Sequence, residues 1–293
     1  MVIHSPCGVL WFNCKAFIRV KKRPPQEDTD DEASEADSTD AIWDFYQERG
    51  PTEAQLTRVN SGPRPGKLER RSTPGQTHCW DAAPWQGIGL RSATYLKNGV
   101  KEPTLSPLLE PVIVELHEAA SPLEQKSRPE AIRLRAANRV GPNARLFLLD
   151  FNLGTAQLLI LFATPTQQDE ETSATPAGRL LERFISNMSN EDRTNRLKLL
   201  PKVLDGPWLV SASIPTKPTI IARQCSVVFK TGTNYIQASV DCAGSTIGKK
   251  IAKVLTGGQC DLALYVLLEG QCEDELPERL VGAIALHRTV APT

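Results

Sequence analysis

From His78 to His287 the chain alternates short apolar runs with turn residues, a rhythm that restricts it to a strand-rich fold. The runs Leu146–Phe151, Gln157–Ala163, Trp208–Ile214, Ser226–Lys230, Thr233–Asp241, Asp261–Glu269 and Leu280–Leu286 read as strands, with Val112–Leu116 and Leu197–Leu200 as weaker ones. Thr231-Gly232 is a short turn that makes Ser226–Lys230 and Thr233–Asp241 an antiparallel hairpin, and Gly154 sets up a similar close pairing of Phe151 with Gln157. Three stretches read as helices: about Pro129–Ala137, about Ala177–Met188 and Thr246–Leu255. In the last, Ile247, Ile251, Val254 and Leu255 form an apolar stripe, Ser245 is placed as its N-cap, and Gly257-Gly258 ends it. Many strands, short links and few helices predict an α+β domain over 78–293, built on a large, mainly antiparallel sheet with about three helices.

Two segments precede that domain. Residues 24–77 are rich in Pro, Ser, Thr, Asp and Glu, with Ile42-Trp43-Asp44-Phe45-Tyr46 as their main apolar cluster. Such a stretch buries too little apolar surface to offset its ordering entropy and reads as a disordered linker. Residues 1–23 mix Trp11, Phe12, Phe17 and Ile18 with Lys15, Arg19, Lys21, Lys22 and Arg23. Cys7 and Cys14 among these groups suit an acylated, polybasic membrane anchor; the same stretch equally suits an extra strand or helix of the domain. Position 2 is not glycine, which excludes N-myristoylation. No window reaches the ~20 apolar residues that span a bilayer, and the start lacks the basic opening of a secretory signal.

Charge narrows the partners. The 34 Lys and Arg residues balance 34 Asp and Glu, so no global field recruits nucleic acid, and none is expected as a partner. The balance is uneven, with eight acidic residues and no basic one in Glu27–Asp40, and five basic residues and no acidic one in Lys15–Arg23. Seven cysteines, an odd number without CxxC spacing, read as reduced thiols of a cytosolic protein. His4, His78, His117 and His287 are scattered, so no metal site is expected, and no motif implies a cofactor.

Several residues are candidates for binding. Along Thr233–Asp241, Ile236, Ala238 and Val240 point one way while Tyr235, Gln237, Ser239 and Asp241 point the other. The polar set either lines a ligand cavity or is the solvent face of a half-buried strand. Ser245 and Thr246 open a helix whose free N–H groups can hold an anion, with Lys249, Lys250 and Lys253 beside them; the bland alternative is a capped helix with solvated lysines. Trp208 after Gly206-Pro207 is expected to anchor the core or cover a pocket mouth. Arg91 can face a ligand or a neighbouring strand. Glu275 and Glu278, flanking Leu276-Pro277, read as loop-fixing partners for Arg279 or a distant arginine rather than as a catalytic acid pair. No GxSxG, HExxH or GxGxxG signature is present, and the expectation is a protein that is not an enzyme.

Read together, Pro84-Trp85, Leu90 to Leu96, Lys101, Leu200-Pro201, Gly206-Pro207-Trp208, Lys217-Pro218, Asn234-Tyr235, Val240-Asp241, Ser245, Asp261-Leu262-Ala263, Glu269-Gly270 and Glu275 to Ala283 resemble the C-terminal domain of plant Enhanced Disease Resistance 2 proteins. The resemblance runs from about Trp80 to His287 and is weak between about Glu118 and Asn195. It implies a domain that follows a phosphoinositide-binding pleckstrin-homology domain and a START-type lipid-binding domain on endomembranes, in proteins that restrain pathogen-induced cell death. This chain has room for neither, so lipid targeting is expected from the domain itself or from residues 1–23. A non-enzymatic, membrane-associated regulatory domain at the cytosolic face is the first expectation, with membrane lipid, a phosphoinositide included, as partner. A protein-interaction module without a lipid ligand is the second, and an enzyme acting on a lipid or small ester the third. The family brings no catalytic residues to carry over.

Overall fold

The period-two runs form two sheets in the computed structural model, which describes residues 66–119, 121–141, 143–165, 173–215 and 217–290. The proposed anchor residues Cys7, Trp11, Phe12, Cys14, Lys15, Arg19, Lys21 and Lys22, and the linker as far as residue 65, lie outside the described residues. One sheet has six strands in the order β1 (Glu69–Arg70), β2 (Cys79–Ala82), β13 (Leu280–His287), β12 (Asp261–Leu268), β8 (Leu197–Asp205) and β9 (Thr219–Ile220). The other has five, in the order β10 (Ser226–Gly232), β11 (Tyr235–Asp241), β6 (Leu146–Asn152), β7 (Ala156–Ala163) and β5 (Glu110–Glu118). A ribbon of β3 (Gly89–Arg91) and β4 (Lys101–Pro103) is joined through α1 (Tyr95–Asn98). Pairing is antiparallel except between β1 and β2 and between β11 and β6. The α+β class holds, with the strands expected of one sheet divided between two.

Leu, Ile, Val and Phe side chains from one face of each sheet share a single core. Phe147, Leu149, Leu158, Phe162, Ile236, Ala238 and Val240 from the five-stranded sheet meet Leu197, Leu262, Leu264, Val266, Ile284 and Leu286 from the six-stranded one. Ile236, Ala238 and Val240 thus face inward as their alternation predicts. The closest approach is at Gly282. Val266 pairs with Gly282 and Leu267 with Leu280, so Val281 is the extra residue of a bulge. A Cβ on Gly282 would lie 2.5 Å from the Phe162 ring, so only glycine fits.

The three expected helices are all present: α2 (Pro122–Val140), α3 (Pro176–Ser186) and α6 (Thr246–Thr256). Shorter ones are α4 (Asn190–Thr194) and α5 (Trp208–Ser213). Helix α2 starts seven residues before the expected Pro129, because Ser121 and Glu124 form a capping box. Pro129 remains inside the helix, where it cannot donate to the Gln125 carbonyl; the Gln157 side-chain amide fills that place at 2.9 Å.

Other expectations are corrected. Trp208–Ile214 is not a strand: Pro207 starts a short helix there, and Ile214 before Pro215 is extended and ends it. The β10–β11 hairpin exists, but its turn is Thr233-Asn234, since β10 continues to Gly232 opposite Tyr235 and Asn234 takes the left-handed conformation at φ 54°. The segment 66–77, expected in the linker, carries β1, and Leu68 is buried with its carbonyl accepting from the Trp80 indole at 2.9 Å. Leu68, the backbone bonds of its neighbours and its own amide, which donates to the Val114 carbonyl at 3.0 Å, dock this polar segment.

Gly282→Ala is expected to lower the unfolding free energy by about 1–3 kcal/mol, measured by urea denaturation. A change below ~0.5 kcal/mol, the size of a neutral surface substitution, would mean that the Phe162 ring yields without cost.

Candidate functional site: a cationic cleft above an acidic loop

Lys198 interrupts the apolar run Leu197, Leu199, Leu200 on β8, and its side chain is 7% exposed. A buried ammonium needs an opposite charge, and the loop between β12 and β13 supplies two. Lys198 Nζ lies 2.6 Å from Glu269 and 3.1 Å from Glu278. Arg91 on β3 reaches the same carboxylates at 3.3 and 3.6 Å, donates to the Gly270 carbonyl at 2.9 Å, and stacks over the Tyr95 ring at 4.8 Å. Glu275, buried in the same loop, pairs with Arg183 of α3 and with Arg196 at 2.6 Å, and accepts from the Gln271 amide at 2.8 Å. Burial pushes the Glu275 carboxyl up, but the Gln271 amide and the two guanidiniums outweigh it and hold the group below the usual carboxylate range. Glu275 and Glu278 therefore fix the loop, as expected, with bases from distant elements. Arg279 instead turns outward and donates to Ser106.

Over this loop lies an open cleft of roughly 400 Å³. Arg91, Tyr95, Lys198, Glu269 and Glu278 form part of its lining, and Lys101, Lys217 and Arg223 complete the charged set. Arg91 and Lys198 are neutralised by the two glutamates. Lys101, Lys217 and Arg223 are exposed and form no ion pair among the described residues, so the cleft carries an excess of three positive charges. The pairs beneath leave that excess on the exposed rim.

The sequence-derived candidates separate in space. Of the pocket set Tyr235, Gln237, Asp241, Trp208 and Arg91, only Arg91 lines the cleft. Tyr235 and Gln237 face neither cavity nor solvent, because α2 covers that side of the sheet. There the Asp150 carboxylate accepts from Gln157 at 2.8 Å, Ser239 at 3.0 Å and Gln237 at 3.2 Å, and the Tyr235 hydroxyl donates to Gln237 at 3.0 Å. Burial raises the Asp150 carboxyl above its ordinary range despite these donors. Asp241 is exposed and caps a turn, accepting from the Ala243 amide at 3.0 Å. Trp208 is 74% exposed and anchors no core, since the α5 turn carries it outward.

The proposed anion end of α6 is formed as expected, with the Ser245 hydroxyl accepting from the Gly248 amide at 3.1 Å and Lys249, Lys250 and Lys253 exposed. Thr246 is exposed in the first turn. However, Asp241 already places a carboxylate beside that end, which competes with an incoming anion. Lys101, Lys198, Lys217 and Arg223 were not singled out as a site from the sequence. The one local signal was Lys198, a charge within a leucine run.

This fold and cleft define a two-sheet α+β domain with a positively charged mouth and an internally neutralised floor. Residues 80–289 match the family described as Protein ENHANCED DISEASE RESISTANCE 2, C-terminal, and the chain belongs to that family. A relative from Arabidopsis thaliana named Protein ENHANCED DISEASE RESISTANCE 2-like is 24% identical over 238 residues, which cover 80% of this chain and 32% of the relative. The chain therefore spans about a third of the length of that curated relative. No solved structure matches it. Among the described residues, no helix is long and apolar enough to cross a membrane.

Because the folded-state pKa of Glu275 lies below its unfolded value, the stability it contributes is complete above the unfolded value and is lost as pH falls through the folded one. Glu275→Gln, which leaves Arg196 without its countercharge, is expected to cost about 2–3 kcal/mol at pH 7. The gap to the parent protein should narrow below about pH 4. Chemical denaturation at both pH values checks this, and a gap that is constant with pH would show that packing rather than charge fixes the loop.

Proposed function

We propose that this domain is a non-enzymatic, membrane-associated regulatory module that binds an anionic lipid headgroup, of the phosphoinositide kind, in the cleft at the cytosolic face of a membrane. The observation that carries the reading is the set of cations Lys101, Lys217 and Arg223, which form no ion pair among the described residues, around a floor already neutral. Phosphate groups are matched by lysine and arginine donors, and the neutral floor leaves those donors uncommitted. The lipid-binding neighbours implied by the family resemblance support the same reading. Residues 1–23, if acylated, would add a second anchoring signal, as stable attachment requires. The exposed Trp208 supports a second reading, a protein-interaction module with the acidic segment as tether, because tryptophan is enriched where partners dock.

Co-sedimentation with phosphatidylcholine vesicles, with and without phosphatidylinositol 4-phosphate, tests the reading on the full chain and on a chain lacking residues 1–22. Headgroup-dependent binding is expected to survive the truncation. The triple variant Lys101→Ser, Lys217→Ser, Arg223→Ser should weaken it by roughly 100-fold, from ~1 kcal/mol per cation. Undiminished binding in that variant, with loss when Lys249, Lys250 and Lys253 are replaced instead, would move the site to α6. Loss on truncation would assign binding to residues 1–22, and no binding by either chain would leave the protein-partner reading.

A further inference from the structure

In the β10–β11 ladder Ser226 lies opposite Asp241, and the next positions outward are Cys225 and Cys242. The two thiols continue that register as opposed residues. Opposed residues of an antiparallel pair hold their Cβ atoms ~4.5–5.5 Å apart, against ~3.5–4.5 Å within a disulfide. Cys225 precedes the first paired residue of β10 and follows the single turn Ile221–Arg223, so it sits at the open end of the ladder, where only that small gap separates the pair from disulfide geometry.

We propose that Cys225 and Cys242 are an oxidation-sensitive thiol pair that reacts with a hydroperoxide and closes to a disulfide beneath the first turn of α6. The roles divide by exposure. Cys225 is half-buried and open to a small oxidant, whereas Cys242 is 4% exposed and is reached from Cys225. Polarisation within the pair favours the same order. The neighbouring Cys242 thiol and Ser245 hydroxyl outweigh burial and lower the Cys225 thiol below its ordinary value. Cys242 is pushed up by Cys225 and by burial. Cys272, by contrast, is raised to about 12 by burial and by Asp274 and Glu275, and stays a thiol.

The Cys225 thiolate attacks the peroxide, forming an S–O bond as the O–O bond breaks and the alcohol or water leaves. The Cys242 sulfur then attacks the resulting sulfenic acid, forming S–S as S–O breaks and water departs. Two thiols and one hydroperoxide give one disulfide, one alcohol (water, for hydrogen peroxide) and one water. The link bears on α6 because the Cys242 carbonyl accepts from the Ser245 amide at 3.2 Å and lies where a Cβ on Gly248 would approach to 2.5 Å. Oxidation would therefore tie the end of β10 to the residue on which α6 is seated.

The test is to treat the reduced full chain with hydrogen peroxide, block the remaining thiols and map the peptides by mass spectrometry. The expected result is a Cys225–Cys242 peptide lighter by two hydrogens, with titratable thiols in denaturant falling from seven to five. In Cys242→Ser, Cys225 should stop at the sulfenic acid and be captured by dimedone; in Cys225→Ser, Cys242 should stay reduced. Sulfinic acid on Cys225 with Cys242 untouched, or a first linkage through other cysteines, would overturn the proposal. The parent peptide map alone decides the matter if a variant does not fold.

Discussion

The ion cluster around Lys198 is the constraint on which the cleft side of the molecule depends. A lysine among leucines on a central strand carries a desolvation penalty that only close carboxylates offset. Glu269 and Glu278 do so together, but they stand on opposite arms of the loop from β12 to β13, so the loop must fold back over β8. The same carboxylates then hold Arg91, and with it the β3–β4 ribbon. The Glu278 amide donates to the Arg91 carbonyl at 2.9 Å, so backbone and side chains make the same attachment. Glu275 extends the cluster to α3 through Arg183. Removing any one acid leaves the buried and half-buried bases short of countercharge, so the phrase Glu275-Leu276-Pro277-Glu278 holds this side of the fold together.

This arrangement also explains how a chain with no net charge can present a charged site. Four bases and three acids meet in the loop cluster and nearly cancel. Lys101, Lys217 and Arg223 are the additional cations that line the cleft above it. The paired floor adds little net charge, so the positive excess of the cleft lies in side chains that can be replaced without touching the cluster beneath them.

Strands and helices with a one-sided apolar pattern were legible from the sequence. The interior triad Ile236, Ala238 and Val240 and the capped helix α6 are both where their periods place them. The polar face of β11 was not, for a specific reason. It is covered by α2, whose Ile132 and Ala136 pack on Leu148, Leu159 and Tyr235, while Gln237 and Ser239 are satisfied within the sheet by Asp150 of β6. A polar strand face and a polar helix each look solvated when read alone, and only their packing shows the hydrogen bonds that satisfy them. Helix α5 escaped notice because Trp and Val favour strands, while the flanking Pro207 and Pro215 set the backbone.

The cleft was the least legible part, and the cause is topological. Its charged residues come from β3, β4, β8, the segments around β9 and the loop before β13, so no local window contains two rim cations from different walls except Lys217 and Arg223. The lysines of α6 are the opposite case. Three cations within one helix stand out in a sequence, yet the carboxylate of Asp241 already occupies the neighbourhood of that helix's positive end. A visible run of like charges marks a surface that water already satisfies, whereas a site that draws in a ligand needs cations held apart from their countercharges. Among the described residues, each acid of the cleft is paired with a base of its floor, while Lys101, Lys217 and Arg223 at the rim form no ion pair.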